Sequence, residues 1–139
     1  MFFFGSTSKA RLLECDPRLQ TILNAVIKHM DFTVLCATRS RADQEEAVRK
    51  GLSRAQYGES PHNFSPALAV DIAPYPVDWR DFERFSFLGG LMKGVASAEG
   101  IALTWGYDWN NNGTLGKDDP AESLIDAPHF ELSNWKELT

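Results

Sequence analysis

The chain has 139 residues, 43% hydrophobic and 24% charged, with 14 Lys and Arg against 19 Asp and Glu for a formal net charge of −5. That is the size of one soluble domain spanning residues 1–139, and an acidic chain with no basic cluster argues against nucleic-acid binding through phosphate neutralisation. No apolar run approaches the ~20 residues that span a bilayer, and MFFFGSTSKARLL at the start lacks a leading basic residue and the ~7–15 residue apolar core of a signal peptide, so the expectation is a monomer made in the cytoplasm without membrane insertion.

The first helix is predicted from Asp16, with Asp16 as cap, Pro17 in the first turn, and Leu19, Ile22, Leu23, Val26, Ile27 and Met30 recurring at spacings of three and four. His29, one residue off that stripe, reads as structural. Phe32–Ala37 follows as a buried strand, and Arg41–Lys50 as a short polar helix stopped by Gly51. Residues 52–66, rich in Ser, Gly, Pro and Asn, form a loop. Leu68–Ala73 is a second strand with one carboxylate, Asp71, in an apolar run. A second long helix, with Asp78 as its expected cap, carries Phe82, Phe85, Leu88, Met92 and Val95 on one face; its Gly89, Gly90 and Gly94 suggest close packing by another element. Gly100 ends it. Ile101–Trp105 is a third strand, residues 107–124 a long polar loop, and Pro128–Leu132 a final strand. Helices and strands mix without strict βαβ alternation, which favours an α+β domain. The two cysteines, Cys15 and Cys36, form no C-x-x-C pair and leave the redox compartment open.

Asp71 is the sharpest single residue, because an ionised carboxylate on an apolar strand must be compensated by a cation, a metal or several donors. His62 and His129 flank strand-like segments. Together the three residues could supply Zn2+ with three ligands and leave a fourth position for water, the arrangement of a catalytic zinc; the competing account has Asp71 capping a turn and both histidines in the core. Such a site needs a carboxylate to carry a proton. Asp126, three residues before His129, is the preferred base, while Glu131, two residues after it, is either a rival base or a partner of the imidazole N–H. Trp105, Tyr107 and Trp109 cluster at a strand end, where they wall a cleft, Tyr107 against substrate, or pack as core and rim.

The runs SPHNFSPALAVDIAP (Ser60–Pro74) and DAPHFEL (Asp126–Leu132) resemble the zinc signature of the VanY-type DD-peptidase and L-alanyl-D-glutamate endopeptidase family, which includes many phage endolysins. That resemblance implies zinc at His62, Asp71 and His129, Asp126 as catalytic base, and Ser60 at the signature's first position, in contact with substrate. ATRSRADQ (Ala37–Gln44) is similar to the family's Arg-containing turn, which implies that Arg39 contacts substrate or the developing oxyanion. FGSTSKARL and the DPRL that follows resemble the N-terminal segment of phage members, so the likeness covers nearly the whole chain. Two departures stand out. The segment between His62 and Asp71 is longer than the family's commoner spacing, with the extra length around Ser65 and Pro66, and Cys36-Ala37-Thr38 stands where many members have a Gly-containing turn.

The resemblance implies a hedgehog/DD-peptidase-type fold, a small antiparallel sheet with helices packed on one face. It also implies zinc-dependent hydrolysis of an amide bond in the peptidoglycan stem peptide, as an L-alanyl-D-glutamate endopeptidase that serves a phage as endolysin and reaches the cell wall after the membrane is breached. A D-alanyl-D-alanine carboxypeptidase would use the same constellation. From another class, the chain could be a non-catalytic, metal-stabilised binding module of the cell wall or a phage particle, against which an intact Asp126 beside intact ligands speaks. DWNNNGTLGKDD (Asp108–Asp119) adds a separate signal: Asp108, Asn110 and Asn112 at loop positions one, three and five, Gly113 at six, Thr114 at seven, Leu115 at eight and Asp119 at twelve approach the EF-hand pattern for Ca2+. Asp in place of the bidentate Glu, and Gly116 at nine, would weaken such a site.

Overall fold

Before the first expected helix the chain already forms one, α1 (Ser6–Leu13), in a computed structural model that describes residues 1–122 and 124–139. Only Ser8 and Leu12 of α1 are buried, so no apolar period announces it. Leu12 enters the core, and a polar tie joins it: Ser8 Oγ accepts from Val34 N at 3.0 Å and lies 3.1 Å from Thr33 Oγ1. Helix α2 (Pro17–Val26) starts as expected, the Asp16 side chain accepting from Arg18 N at 2.9 Å, and buries Leu19, Ile22, Leu23 and Val26; it stops short of Met30.

Strand β1 (Phe32–Cys36) leads to α3 (Arg41–Arg49), which Ser40 caps through Asp43 N and which ends before Gly51 at φ 74°. A short 3-10 turn (Pro61–Asn63) interrupts the following loop, and β2 (Ala69–Pro74) comes next. Helix α4 (Phe82–Ala98) is capped by Asp81, through Arg84 N at 3.2 Å, and not by Asp78, whose carboxylate accepts from Arg80 N one turn earlier. Strands β3 (Leu103–Trp105) and β4 (His129–Leu132) complete the set, and Ser123, in the long loop between them, lies outside the described residues.

The sheet is fully antiparallel in the order β1-β2-β4-β3, so the last strand in sequence is a central strand in space. Because side chains alternate along a strand, β2 and β4 divide cleanly. Val70, Ile72, Phe130 and Leu132 go into the core, where Phe130 stacks on Trp105 at 5.8 Å. Trp105 in turn lies over α4 where Gly89 has no side chain: a Cβ there would run into the indole, whereas Gly90 and Gly94 face open space. Asp71, His129 and Glu131 point to the other face. In register, Asp71 sits opposite both Cys36 on β1 and His129 on β4. With four α-helices among the described residues and this one sheet, the α+β expectation is met.

Candidate active site

Two strands and one turn bring His62, Asp71 and His129 together. Asp71 Oδ1 lies 3.2 Å from His62 Nε2 and 3.1 Å from His129 Nδ1, and the two ring nitrogens are 3.3 Å apart. The longer connection between His62 and Asp71 bulges without separating its ends. Each imidazole is held from behind. His62 Nδ1 donates to the Ala37 carbonyl at 2.7 Å, and His129 Nε2 donates to Glu131 Oε1 at 2.7 Å, so Nε2 of the first and Nδ1 of the second face the common centre.

Burial would favour neutral imidazoles, but the Asp71 carboxylate and its hydrogen bonds outweigh it and push His62 up to about 10 and His129 up to about 9. Asp71 moves the other way: burial opposes its charge, yet the attraction of His62 and hydrogen bonds from both rings hold it far below the usual carboxylate range.

Cys36, His62 and Asp71 also form a cluster able to hold a metal ion, with one donor atom from each within 4.8 Å of the others. Cys36 Sγ, however, approaches His62 on the Nδ1 side, at 3.8 Å, where the ring already serves Ala37. The tighter set is His62, Asp71 and His129. Donors ~2.0–2.1 Å from a tetrahedral zinc stand about 3.3–3.4 Å apart, and the three separations here, 3.1 to 3.3 Å, fit the face of such a tetrahedron.

Asp71 turns its other oxygen to Arg39, whose Nη2 lies 3.6 Å from Oδ2. Behind Arg39 stands a residue of the expected short polar helix Arg41–Lys50. Gln44 is completely buried, its Oε1 accepting from Arg39 Nη1 and Asn63 Nδ2 at 3.1 Å each, its Nε2 donating to Ser53 Oγ and to the Ala55 carbonyl. Asn63 extends the network to the Arg39 carbonyl and to the backbone N–H of Gly58 and Ser60. The only hint in the sequence is a glutamine amid charged residues of a short helix, which composition alone does not distinguish from surface.

Asp126 lies at the rim of the cluster. Burial raises its carboxyl above the usual range, the His129 charge opposing, and the carboxyl has no hydrogen bond within the described residues. Its backbone is pinned: Asp126 N donates to the Gly106 carbonyl and Gly106 N to the His129 carbonyl, each at 2.8 Å. A Cβ on Gly106 would run into the Asp126 carbonyl oxygen, so only glycine admits this approach.

Two expected substrate contacts are corrected. The Ser60 hydroxyl, buried, accepts from His62 N at 3.2 Å and caps the 3-10 turn that carries that histidine, so it positions His62 and does not reach outward. Tyr107 is fully buried against Phe82 and Trp105, at 5.5 and 5.4 Å, and is out of reach of any cleft. Trp105 is likewise core, donating Nε1–H to the Ala127 carbonyl at 2.7 Å. Of that aromatic group only Trp109 borders the site, its ring 5.3 Å from His129.

In the loop 108–119 the residues Asp108 and Asp119 are both little exposed. Asp108 accepts from the backbone of Asn112 and Gly113, and Asp119 from the side-chain amides of Asn110 and Asn112. The Asn112 carbonyl oxygen accepts from Thr114 N at 2.8 Å.

The sequence profile of the phage L-alanyl-D-glutamate peptidases matches residues 1–133. The chain belongs to that family. Over 136 residues, 94% of this chain and 98% of the relative, it is 29% identical to the L-alanyl-D-glutamate peptidase of Escherichia phage T5. The crystal structure of the Serratia marcescens L-Ala D-Glu endopeptidase ChiX superposes with a TM-score of 0.77 at 26% identity, covering 98% of this chain and 93% of that one. The resemblance read from SPHNFSPALAVDIAP and DAPHFEL is borne out, and with it the assignment to phage peptidases that act on peptidoglycan.

Proposed function

We propose that this peptidase cuts the L-alanyl–D-glutamate amide bond of the stem peptide, with Zn2+ held by His62 Nε2, Asp71 Oδ1 and His129 Nδ1. The triangle of those three atoms, with the unpaired Asp126 carboxyl at its rim, is the observation that carries the reading. The bound ion would supply Lewis-acid polarisation of the scissile carbonyl and lower the pKa of a water toward ~7.

The chain's own residues do the rest. Asp126 takes a proton from the attacking water and passes it to the departing amine of D-glutamate. Glu131 is the weaker candidate for that task, since its carboxylate is held by His129 at 2.7 Å. Arg39, fixed by Gln44, steadies Asp71 and offers the remainder of its guanidinium to a substrate carboxylate or the developing oxyanion. The family and both relatives favour the endopeptidase over a D-alanyl-D-alanine carboxypeptidase. Among the described residues no helix is long and apolar enough to cross a membrane, in keeping with an endolysin that meets the wall once the membrane is breached.

The loop 108–119 is proposed as a Ca2+ site, with Asp108, Asn110, Asn112, Thr114 and Asp119 offering oxygens. Two little-exposed acidic residues in one short loop support it. Held in place, the loop keeps Trp109 against His129.

Digestion of purified peptidoglycan with and without chelator, read by mass spectrometry of the new ends, tests the function. N-terminal D-glutamate that disappears on chelation is expected. Free D-alanine would move the chain to the carboxypeptidases, and no release despite stoichiometric zinc would leave a binding module.

A further inference from the structure

Beside Asp126 the surface opens into an apolar groove of about 380 Å3, walled by Leu52, Trp79, Phe82, Phe85, Ile125 and Pro128, with Asp126 its one ionisable lining residue among those described. Much of this wall faces solvent, with Trp79 55% and Phe82 39% exposed. The indole of Trp79 lies nearly parallel to the Phe85 ring, at 5.9 Å and 20°, which holds its plane while much of the side chain stays exposed. An exposed apolar surface continuous with a reaction centre is a recognition surface.

The groove and Arg39 approach the cluster from different strands. Arg39 follows β1 and Asp126 precedes β4, with β2 between them. The substrate has a matching asymmetry. On the amine side of the scissile bond, D-glutamate carries carboxylate, which suits Arg39. On the acyl side there is only the alanine methyl, and the alanine nitrogen is acylated by the lactyl ether of muramic acid, so the next unit is an uncharged N-acetylated sugar and no further amino acid.

Resting on the L-alanyl-D-glutamate reading above, we infer that the groove takes the acyl side, with the C–H face of the muramoyl ring stacked on Trp79. The preferred substrate is then a stem peptide still joined to its glycan and not a free peptide.

The test compares kcat/KM for N-acetylmuramoyl-L-alanyl-D-glutamate and N-acetyl-L-alanyl-D-glutamate with metal-replete protein. The muramoyl compound should be preferred by about five- to tenfold, the worth of burying about 40–55 Å2 of apolar ring face. Trp79→Ala should bring the ratio close to one, Trp79→Phe should restore part of it, and Phe87→Ala, an exposed aromatic outside the groove, should keep the wild-type ratio. A wild-type ratio near one, or a preference that survives Trp79→Ala, overturns the inference. Peptidoglycan digestion separates the two levels: N-terminal D-glutamate without a muramoyl preference sinks the groove assignment alone, whereas other new ends remove the underlying reading and the inference with it.

Discussion

His129 and Glu131 stand side by side on one face of β4, joined Nε2 to Oε1 at 2.7 Å, and that bond turns the Nδ1 of His129 toward Asp71. Losing the carboxylate frees the ring to rotate. Glu131→Ala should therefore weaken zinc binding by about 10- to 100-fold in competition with a chelator, with Glu131→Gln, which keeps an acceptor, nearer wild type. Unchanged affinity in the alanine variant would show that the ring is oriented by packing alone.

Gly106 and Asp126 allow a separation of base from ligands. Asp126→Ala should lower kcat by about 10²- to 10⁴-fold with one zinc still bound, measured by turnover and metal content on the same sample. Gly106→Ala, which pushes on the Asp126 backbone, should also lower kcat, and overpacking should cost it about 1–3 kcal/mol of stability in thermal unfolding. Retained turnover in Asp126→Ala would move the base elsewhere.

A metal ion at this cluster would compete with protons. With His62 at about 10 and His129 at about 9 in the metal-free chain, zinc uptake at pH 7 should release about two protons, measurable by calorimetry in buffers of different ionisation enthalpy. The metal-free fold should follow the same charges. The raised histidines contribute stability that is complete below pH ~6.5 and is lost as pH climbs through about 9 and 10. Lowered Asp71 contributes stability present above ~3.9 and lost as pH falls below that range. Thermal unfolding of chelated protein should show a plateau between, and a midpoint that rises toward pH 10 would contradict the cluster as described.

For the loop 108–119, added Ca2+ should raise the unfolding midpoint, by about 2.7 kcal/mol of stability at a hundredfold excess over Kd. Asp108→Asn should abolish the effect. Equal midpoints with and without Ca2+ would leave the loop as a turn held by its own hydrogen bonds.

Much of the scaffold was legible because its signals are local. Asp16 and Pro17 begin α2, Gly51 ends α3, and the apolar runs around Val34 and Val70 become strands. His62, Asp71 and His129 meet as the motif resemblance implied, because a lone carboxylate on a buried strand has few other ways to keep its charge. Contributions that depend on distant partners were not legible. Helix α1 is tied down by one buried leucine, Leu12, and the Ser8 hydroxyl, too few apolar positions to make a period. Gln44 looks like surface until Arg39 and Asn63 are folded against it. Ser60 and Tyr107 sit next to the chemistry in sequence but turn inward. The groove at Trp79 is assembled from three separated segments, and no spacing within one of them encodes it.

The insertion of β4 between β2 and β3 has a consequence for the timing of synthesis. Until His129 reaches its place beside Asp71, the growing polypeptide has neither its third donor nor Asp126 in position, and its sheet is split into two unjoined parts. A product truncated before residue 126 lacks the assembled site and should be inert toward peptidoglycan. Base and third donor thus join the sheet with one and the same segment, so the site assembles all at once or not at all.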